Sequence, residues 1–248
     1  MPEDIGIYDL GDLYDAVYTG RGKDYASESA VVARHIRSAL PEAASLLDVG
    51  CGTGGHLGHF AKEFSRVEGL DVAEGMLEVA RRTLPEVPVG HGDMRDFRLE
   101  RRFDAVVSLF SAVGNLTGTA ELDCTLETFA LHLEPGGVAV IEPWWFPDNF
   151  LPDYVGSSLQ EVDGRTVARV SHTVLHDEGH SRMDVHYVVG DPATGVKHYR
   201  DVHVMALFTR RQYEEAFARA GFSVEYVTGE YEGNGLFVGV KNPRGTAG

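Results

Sequence analysis

Apolar and polar residues follow two different rhythms along this chain. Up to about residue 143, short apolar runs alternate with stretches whose apolar positions recur every three or four residues, the spacing of a helix with one buried face. Residues 25 to 40 (YASESAVVARHIRSAL) have that helical spacing and stop at Pro41. Ser45 to Val49 predicts a short buried strand that runs into Gly50-Cys51-Gly52-Thr53-Gly54. A helix is expected over His56 to Phe64, a strand over Val67 to Leu70 ending at Asp71, and a helix over Ala73 to Leu84 closed by Pro85. Strands follow at Val87 to His91 and Phe103 to Leu109, then a helix at Glu121 to Leu133 and a strand at Val138 to Glu142. Strands alternating with helices through short loops predict a parallel sheet with helices on both faces.

Past Trp144 the rhythm changes. Strands are expected at Arg165–Leu175, Arg182–Val189 and Val196–Phe208, with Asp-Gly, Glu-Gly and Thr-Gly turns and no helix between them. Strands joined that way form an antiparallel meander. Residues 209 to 220 return to helical spacing, capped by Thr209 and stopped at Gly221, and the strands Phe222–Thr228 and Gly235–Val240 close the chain as a hairpin. The expected fold is α/β: a doubly wound, mostly parallel seven-stranded sheet formed by residues 1–143 and 209–248, with an antiparallel β insertion at 144–208 that binds substrate.

Composition narrows the function. The 22 Lys+Arg against 38 Asp+Glu give a net charge of -16, which argues against nucleic acid and against an anionic membrane surface. Cys51 and Cys124 are too few for a disulfide framework. The acidic start MPEDIGIYDL does not read as a signal peptide, and no apolar run reaches the roughly 20 residues of a membrane span, so a cytoplasmic protein is expected. Six of the eleven histidines lie between His172 and His203 without metal-ligand spacing, and no metal is expected.

The glycine-rich turn after the first strand carries the candidate chemistry. Glycines permit positive φ and let a ligand lie against the backbone. Asp71, at the end of the second strand, is placed to reach ribose hydroxyls. Such a turn serves NAD, FAD and S-adenosylmethionine alike, but Asp48-x-Gly50-Cys51-Gly52-Thr53-Gly54 departs from the Gly-x-Gly-x-x-Gly register of dinucleotide folds. Asp93-Met94, after the third strand, offers a carboxylate for an exocyclic amine and an apolar wall for adenine. The set resembles the class I methyltransferases, which implies S-adenosylmethionine across these loops. Tyr14 and Tyr25 flank Gly20-Arg21-Gly22-Lys23 and are expected to form a flap that keeps water from the reacting centre.

A closer resemblance runs from about Tyr14 to Val240. It rests on Tyr14-Asp15, Gly20-Arg-Gly-Lys-Asp-Tyr25, Gly92-Asp-Met-Arg-Asp-Phe97, Pro135-Gly-Gly-Val-Ala-Val-Ile-Glu-Pro-Trp-Trp-Phe-Pro147, Arg169-Val-Ser-His172, Arg182-Met183 and Gly235-Leu-Phe-Val-Gly239. These blocks are similar to the nucleotide-linked amino-sugar N,N-dimethyltransferases of desosamine- and mycaminose-type macrolide pathways, and the double Trp is the most specific of them. The resemblance implies a dTDP-amino-dideoxyhexose acceptor, two methyl transfers to one amine, and a homodimer. It implies cofactor contacts from Tyr14, Tyr25, Asp48, Gly50, Gly52, Asp71, Asp93, Met94 and Phe110. For the acceptor it implies Tyr18, Arg21, Trp145, Tyr154, Arg169, Ser171, His172, Arg182 and Asn234, and it puts Tyr14 and Asn115 at the transfer centre.

The chain departs from the family pattern twice. Ala112 and Asn115 stand where members carry Ser and His or Tyr, and Glu232-Gly-Asn-Gly235 stands for Ser-Gly-Arg-Gly. Both bear on which sugar is used and on whether its amine is at C3 or C4. Methyl transfer is an in-line displacement governed by positioning, and burial disfavours the ammonium, so a strong general base is not required. Two other readings are a methyltransferase for a different small-molecule amine or hydroxyl, and a non-catalytic S-adenosylmethionine-binding protein. A dinucleotide dehydrogenase has the wrong glycine register.

Overall fold

A computed structural model describes residues 3–4, 11–162, 164–229, 231 and 233–243. The sequence rhythm of the first half folds as expected. Five parallel strands, β2 (Ser45–Val49), β3 (Arg66–Asp71), β4 (Val89–His91), β5 (Phe103–Ser108) and β6 (Leu133–Ile141), lie in the order β6-β5-β2-β3-β4. The hairpin of β11 (Phe222–Val227) and β12 (Leu236–Lys241) adds to β6 in antiparallel sense and completes a seven-stranded sheet. Every residue of β2 is buried, which is why its sequence shows a continuous apolar run and no alternation.

Helices α2 (Tyr25–Ala39), α3 (Leu57–Glu63), α4 (Glu74–Thr83), α5 (Thr119–His132) and α6 (Arg210–Arg219) cover the two faces of this sheet. One face packs Leu47, Val106, Phe129, Ala139 and Phe237, the other Val32, Ile36, Leu46, Val107 and Phe60. The helix ends carry matching charges: α4 begins with Glu74 and ends with Arg81 and Arg82, in line with the helix dipole. The Thr209 hydroxyl accepts the Gln212 N–H at 3.2 Å and the Gln212 side chain returns to the Thr209 N–H at 2.7 Å, a full capping box on α6.

The segment between β6 and α6 is the expected antiparallel sheet, with more strands than its sequence pattern predicts. Besides β8 (Arg165–Asp177), β9 (His180–Asp191) and β10 (Gly195–Ala206), β7 (Tyr154–Val162) pairs with β8, and the two-residue β1 (Glu3–Asp4) runs parallel to β10. β7 was obscured because its large apolar residues, Val155 and Leu159, point to solvent and its inward positions include Gly156 and Ser158. The N-terminal tyrosine segment, expected as a flap, includes helix α1 (Gly11–Gly20), whose Leu13 and Val17 pack on Val167, Val185, Tyr187 and Val189 of the antiparallel sheet. Tyr8 lies outside the described residues. Among the described residues, no helix is long and apolar enough to cross a membrane.

Candidate active site

A cavity of about 900 Å³ opens where the carboxyl ends of the parallel strands meet the inner face of the antiparallel sheet. Ligands of open α/β sheets bind beyond those strand ends. One wall is the glycine turn after β2. Gly50 (φ +80°) and Gly52 (φ +56°) are both left-handed, and a Cβ on Gly50 would come within 2.8 Å of Ala112 Cβ. Gly52 faces open space, where a Cβ would meet nothing within 4 Å. The turn is held from β3: Asp71 accepts the Gly52 N–H at 2.8 Å and the Ala73 N–H at 2.8 Å. Burial raises the Asp71 carboxyl, and these backbone donors oppose the rise. Asp48 is fully buried behind it, and burial, reinforced by the Asp71 charge, pushes its carboxyl up to about 8.

Asp93 and Met94 line the same wall. The Asp93 carboxylate is already engaged: Arg95 Nε donates to it at 2.9 Å, and Arg95 also pairs with Glu121 at 2.6 Å. Hydrogen bonding from Arg95 holds Asp93 below the usual carboxylate range. Arg95 thus braces Asp93 from the solvent side.

The turn after β5 bears unusual backbone. Phe110 (φ 51°) and Ser111 (φ 59°) are consecutive non-glycine residues in the left-handed region, a strain that persists only where the surroundings fix it. Here Glu142, at the end of β6, accepts the Phe110 N–H, and Ser111 Oγ donates to the Pro143 carbonyl at 3.1 Å. Glu142 also accepts from Tyr231 OH at 2.7 Å, and burial pushes its carboxyl up to about 7. Lys23 Nζ lies 3.9 Å from the Phe110 ring centroid and 2.7 Å from Glu28, which meets His56 Nε2 at 2.8 Å. Burial works against Glu28 ionising, but hydrogen bonds from His56 and Lys23 hold its carboxyl below the usual range. Tyr14 and Tyr18 close the site over Phe110, with ring centroids 6.2 and 4.9 Å from it, and Tyr25 meets His56 edge-on at 4.9 Å.

The opposite wall is the inner face of the antiparallel sheet. Arg169 is 4% exposed, donates to Ser171 Oγ at 2.9 Å, and has an Nε without a hydrogen-bond partner among the described residues. Thr173, Met183, His203 and Met205 continue this wall, and Trp144, Trp145, Tyr154, Arg21 and Asn234 line its rim.

The expected site residues therefore divide. All nine cofactor positions line the cavity, as do Tyr18, Arg21, Trp145, Tyr154, Arg169, Ser171, Asn234 and Asn115. His172 and Arg182 do not. Strand residues alternate between faces, so His172 points away from the face of Arg169, Ser171 and Thr173 and is exposed. Arg182 lies across from Val174 on that outer face and pairs with Asp184 at 3.1 Å. Asn115 is largely exposed, and its Nδ2 donates to the Ala112 carbonyl at 3.1 Å inside its own 3-10 turn, Ala112–Asn115. Glu232 lies outside the described residues.

Sequence reasoning missed Lys23, Glu28, His56, Glu142 and His203, all on the cavity wall. The acids and Lys23 gave no local signal, because partners as distant as Glu28 and Tyr231 meet only in the fold. His203 did leave one: in Asp201-Val-His203-Val204 polar inward positions alternate with apolar outward ones.

The cavity fits S-adenosylmethionine. The open cradle at Gly52 admits a ligand against backbone, and the acids Asp71 and Glu28 on the same wall suit its sulfonium and ammonium charges. Residues 46–137 match a family model described as a methyltransferase domain. The chain is 55% identical over 232 residues to the dTDP-3-amino-3,4,6-trideoxy-alpha-D-glucopyranose N,N-dimethyltransferase of Streptomyces venezuelae, covering 94% of this chain and 98% of that one. It is 44% identical to the dTDP-4-amino-2,3,4,6-tetradeoxy-D-glucose N,N-dimethyltransferase of Saccharopolyspora spinosa, over 94% of this chain and 93% of the other. Its fold matches that of S-adenosylmethionine-bound CalS10, an amino pentose methyltransferase from Micromonospora echinaspora, with a TM-score of 0.85 and 48% identity over 93% of this chain and 97% of that one.

Proposed function

This chain belongs to the dTDP-amino-sugar N,N-dimethyltransferases, S-adenosylmethionine-dependent enzymes of the class I fold, and from that premise we propose that it methylates, first once and then again, the amine of a dTDP-linked amino-dideoxyhexose in antibiotic deoxysugar biosynthesis. The amine is at C3, by the stronger likeness to the 3-amino enzyme at 55% than to the 4-amino enzyme at 44%. The observation that carries this reading is one cavity with acids on one wall and the buried Arg169 on the other. A cationic cofactor suits the first wall, and a diphosphate suits a guanidinium whose Nε has no partner.

When bound, S-adenosylmethionine supplies a methyl group made electrophilic by its sulfonium. The chain's own residues do the rest. Asp71 takes the ribose hydroxyls, and Asp93 and Met94 hold the adenine. Tyr14, Tyr18 and Phe110 cover the reacting centre and exclude water, which disfavours the ammonium form of the acceptor. Arg169 and Ser171, on the β-insertion 144–208, seat the nucleotide, with Arg21, Trp145, Tyr154 and Asn234 at the rim. Asn115 and Tyr14 orient the amine along the line of displacement.

The finer assignments rest on the same surfaces. Val155, Leu159, Val170, Val188, Val202 and Val204 are all exposed on the outer face of the antiparallel sheet, and a homodimer is built by covering that face. Both cysteines are unpaired, which suits a cytoplasmic location. Incubation with S-adenosylmethionine and dTDP-3-amino or dTDP-4-amino deoxyhexoses, followed by mass spectrometry, tests the reading. Sequential mass gains of one and two methyls on the 3-amino sugar are expected. Transfer only to unrelated amines or hydroxyls, or tight cofactor binding with no transfer, would replace it with one of the other readings.

A further inference from the structure

The turn after β5, residues 110–115, touches both walls of the cavity. A Cβ on Gly50 would come within 2.8 Å of Ala112 Cβ, which sets the turn against the glycine cradle. On its other side, a Cβ on Gly114 would come within 2.7 Å of Met205 Cε and 3.0 Å of Trp144 Cβ, both on the opposite wall. An in-line displacement depends steeply on the separation and angle of its two reactants. The conformation of this turn therefore bears on both. That conformation is strained, because Phe110 (φ 51°) and Ser111 (φ 59°) are consecutive left-handed residues with side chains, and such backbone relaxes unless its surroundings hold it.

The holding contacts form a closed circuit. The Phe110 N–H donates to Glu142 Oε2, and the Glu142 N–H donates to the Ser108 carbonyl at 3.0 Å, fixing the acid beside β5. Tyr231 OH donates to the same Oε2 at 2.7 Å and lies 3.5 Å from Glu28 Oε2. Glu28 Oε1 pairs with Lys23 Nζ at 2.7 Å, and Lys23 Nζ sits 3.9 Å from the centroid of the Phe110 ring. The circuit leaves from the Phe110 amide and returns to the Phe110 ring. Lys23 follows helix α1, whose Tyr14 and Tyr18 pack on that ring. Tyr231 itself is buried and is not part of the cavity wall.

We propose that Tyr231, acting through Glu142, is a positioning residue for methyl transfer. This role presupposes the amino-sugar reaction proposed above. Two donors on one carboxylate oxygen fix the plane of Glu142, and the fixed oxygen holds the Phe110 N–H in place. Without the phenol the carboxyl is free to rotate and the strained turn to relax. Phe110 then shifts against Lys23 and the flap tyrosines, and Ala112 shifts against Gly50. No bond is made or broken at Tyr231 or Glu142 and no proton leaves them. Ser111 Oγ, which donates to the Pro143 carbonyl at 3.1 Å, is a second tie from the same turn to the end of β6. The loop after β11 thus reaches the transfer centre by contact alone.

The test separates positioning from binding and from folding. Tyr231→Phe keeps the ring and removes one oxygen. Its kcat on a dTDP-amino sugar should fall about tenfold, while S-adenosylmethionine affinity and the KM for the sugar nucleotide stay within about twofold. Glu142→Leu should lose about 100-fold in kcat. Glu142→Gln keeps a carbonyl oxygen that accepts from both donors and should recover most of that loss. In ligand-free protein, exchange of the Phe110 amide with deuterium should speed up at least about tenfold in Tyr231→Phe. The Val106 and Val107 amides of β5 should keep their rates. Unchanged kcat in Tyr231→Phe, or a loss that appears only in KM, overturns the positioning role. So does a Phe110 amide that exchanges at the wild-type rate in that variant, or a Glu142→Gln as impaired as Glu142→Leu. No turnover by the wild-type protein on any dTDP-amino sugar overturns the functional reading instead, and the exchange rates then still decide whether Tyr231 holds the turn.

Discussion

The Asp71 carboxylate accepts the Gly52 N–H at 2.8 Å, tying the end of β3 to the glycine turn after β2. The same group accepts from Ala73 N at 2.8 Å and faces the cavity. It therefore shapes the cradle and offers its remaining lone pairs to the ribose. Asp71→Ala should weaken S-adenosylmethionine binding by at least about tenfold, the loss expected for hydrogen bonds to a charged partner. Asp71→Asn, which keeps one acceptor oxygen, should lose less. Calorimetry showing unchanged affinity in the alanine variant would remove Asp71 from the cofactor site.

Arg169 provides the second check. Its guanidinium is buried, donates to Ser171 Oγ and Met183 Sδ, and its Nε has no hydrogen-bond partner among the described residues. A buried cation left this incomplete suits an anionic ligand. Arg169→Ala should raise the KM for the sugar nucleotide at least about tenfold while cofactor affinity stays. Unaltered steady-state kinetics would sink the diphosphate assignment.

The contrast between Arg169 and His172 shows how far the sequence could be read. The parallel half was legible because each strand ends at its own chemistry: Asp48 and the glycines, Asp71, then Asp93. The turns of the insertion mark it as antiparallel, but in sequence the Arg169-Val-Ser-His block reads as one unit. Period-two alternation sends Arg169 and Ser171 inward and His172 outward, and Arg182 leaves the site for the same reason. Glu142 and Glu28 were invisible for another cause: Tyr231 OH reaches both, at 2.7 and 3.5 Å, from about ninety and two hundred residues away in sequence. No local pattern records such a contact.

Asp48 makes stability depend on pH. Its folded value of about 8 stands well above the ordinary 3.8, chiefly through burial. An acid raised on folding holds a proton that the unfolded chain has released, so this group's contribution to stability falls as pH rises between those two values. Asp48→Asn removes the term. The ligand-free variant should melt roughly 5 °C above wild type at about pH 8, with the gain shrinking toward about pH 4. A difference in Tm that is constant across this range would show that Asp48 does not titrate as assigned.

The outer sheet face gives a prediction about assembly. Leu159 and Val170 are 71% and 49% exposed on β7 and β8. Replacing both with Lys should convert a dimer to monomer in sedimentation velocity without changing cofactor affinity, since neither side chain faces the cavity. A wild-type protein that already sediments as a monomer at micromolar concentration would rule out this interface.

Asn115 separates orientation from proton transfer. It lines the cavity from the turn after β5, yet its Nδ2 is committed to the Ala112 carbonyl at 3.1 Å. That bond fixes the amide plane and leaves Oδ1 as the acceptor available to an amine. An acceptor that cannot be protonated at neutral pH can aim the nitrogen lone pair but cannot relieve it of its proton. Asn115→Ala should therefore lower kcat only about tenfold and keep the rise of rate with pH, because that limb belongs to the amine. If Asn115→Ala alone costs more than about a thousandfold, the positioning account fails and the amide or its turn takes part in moving the proton.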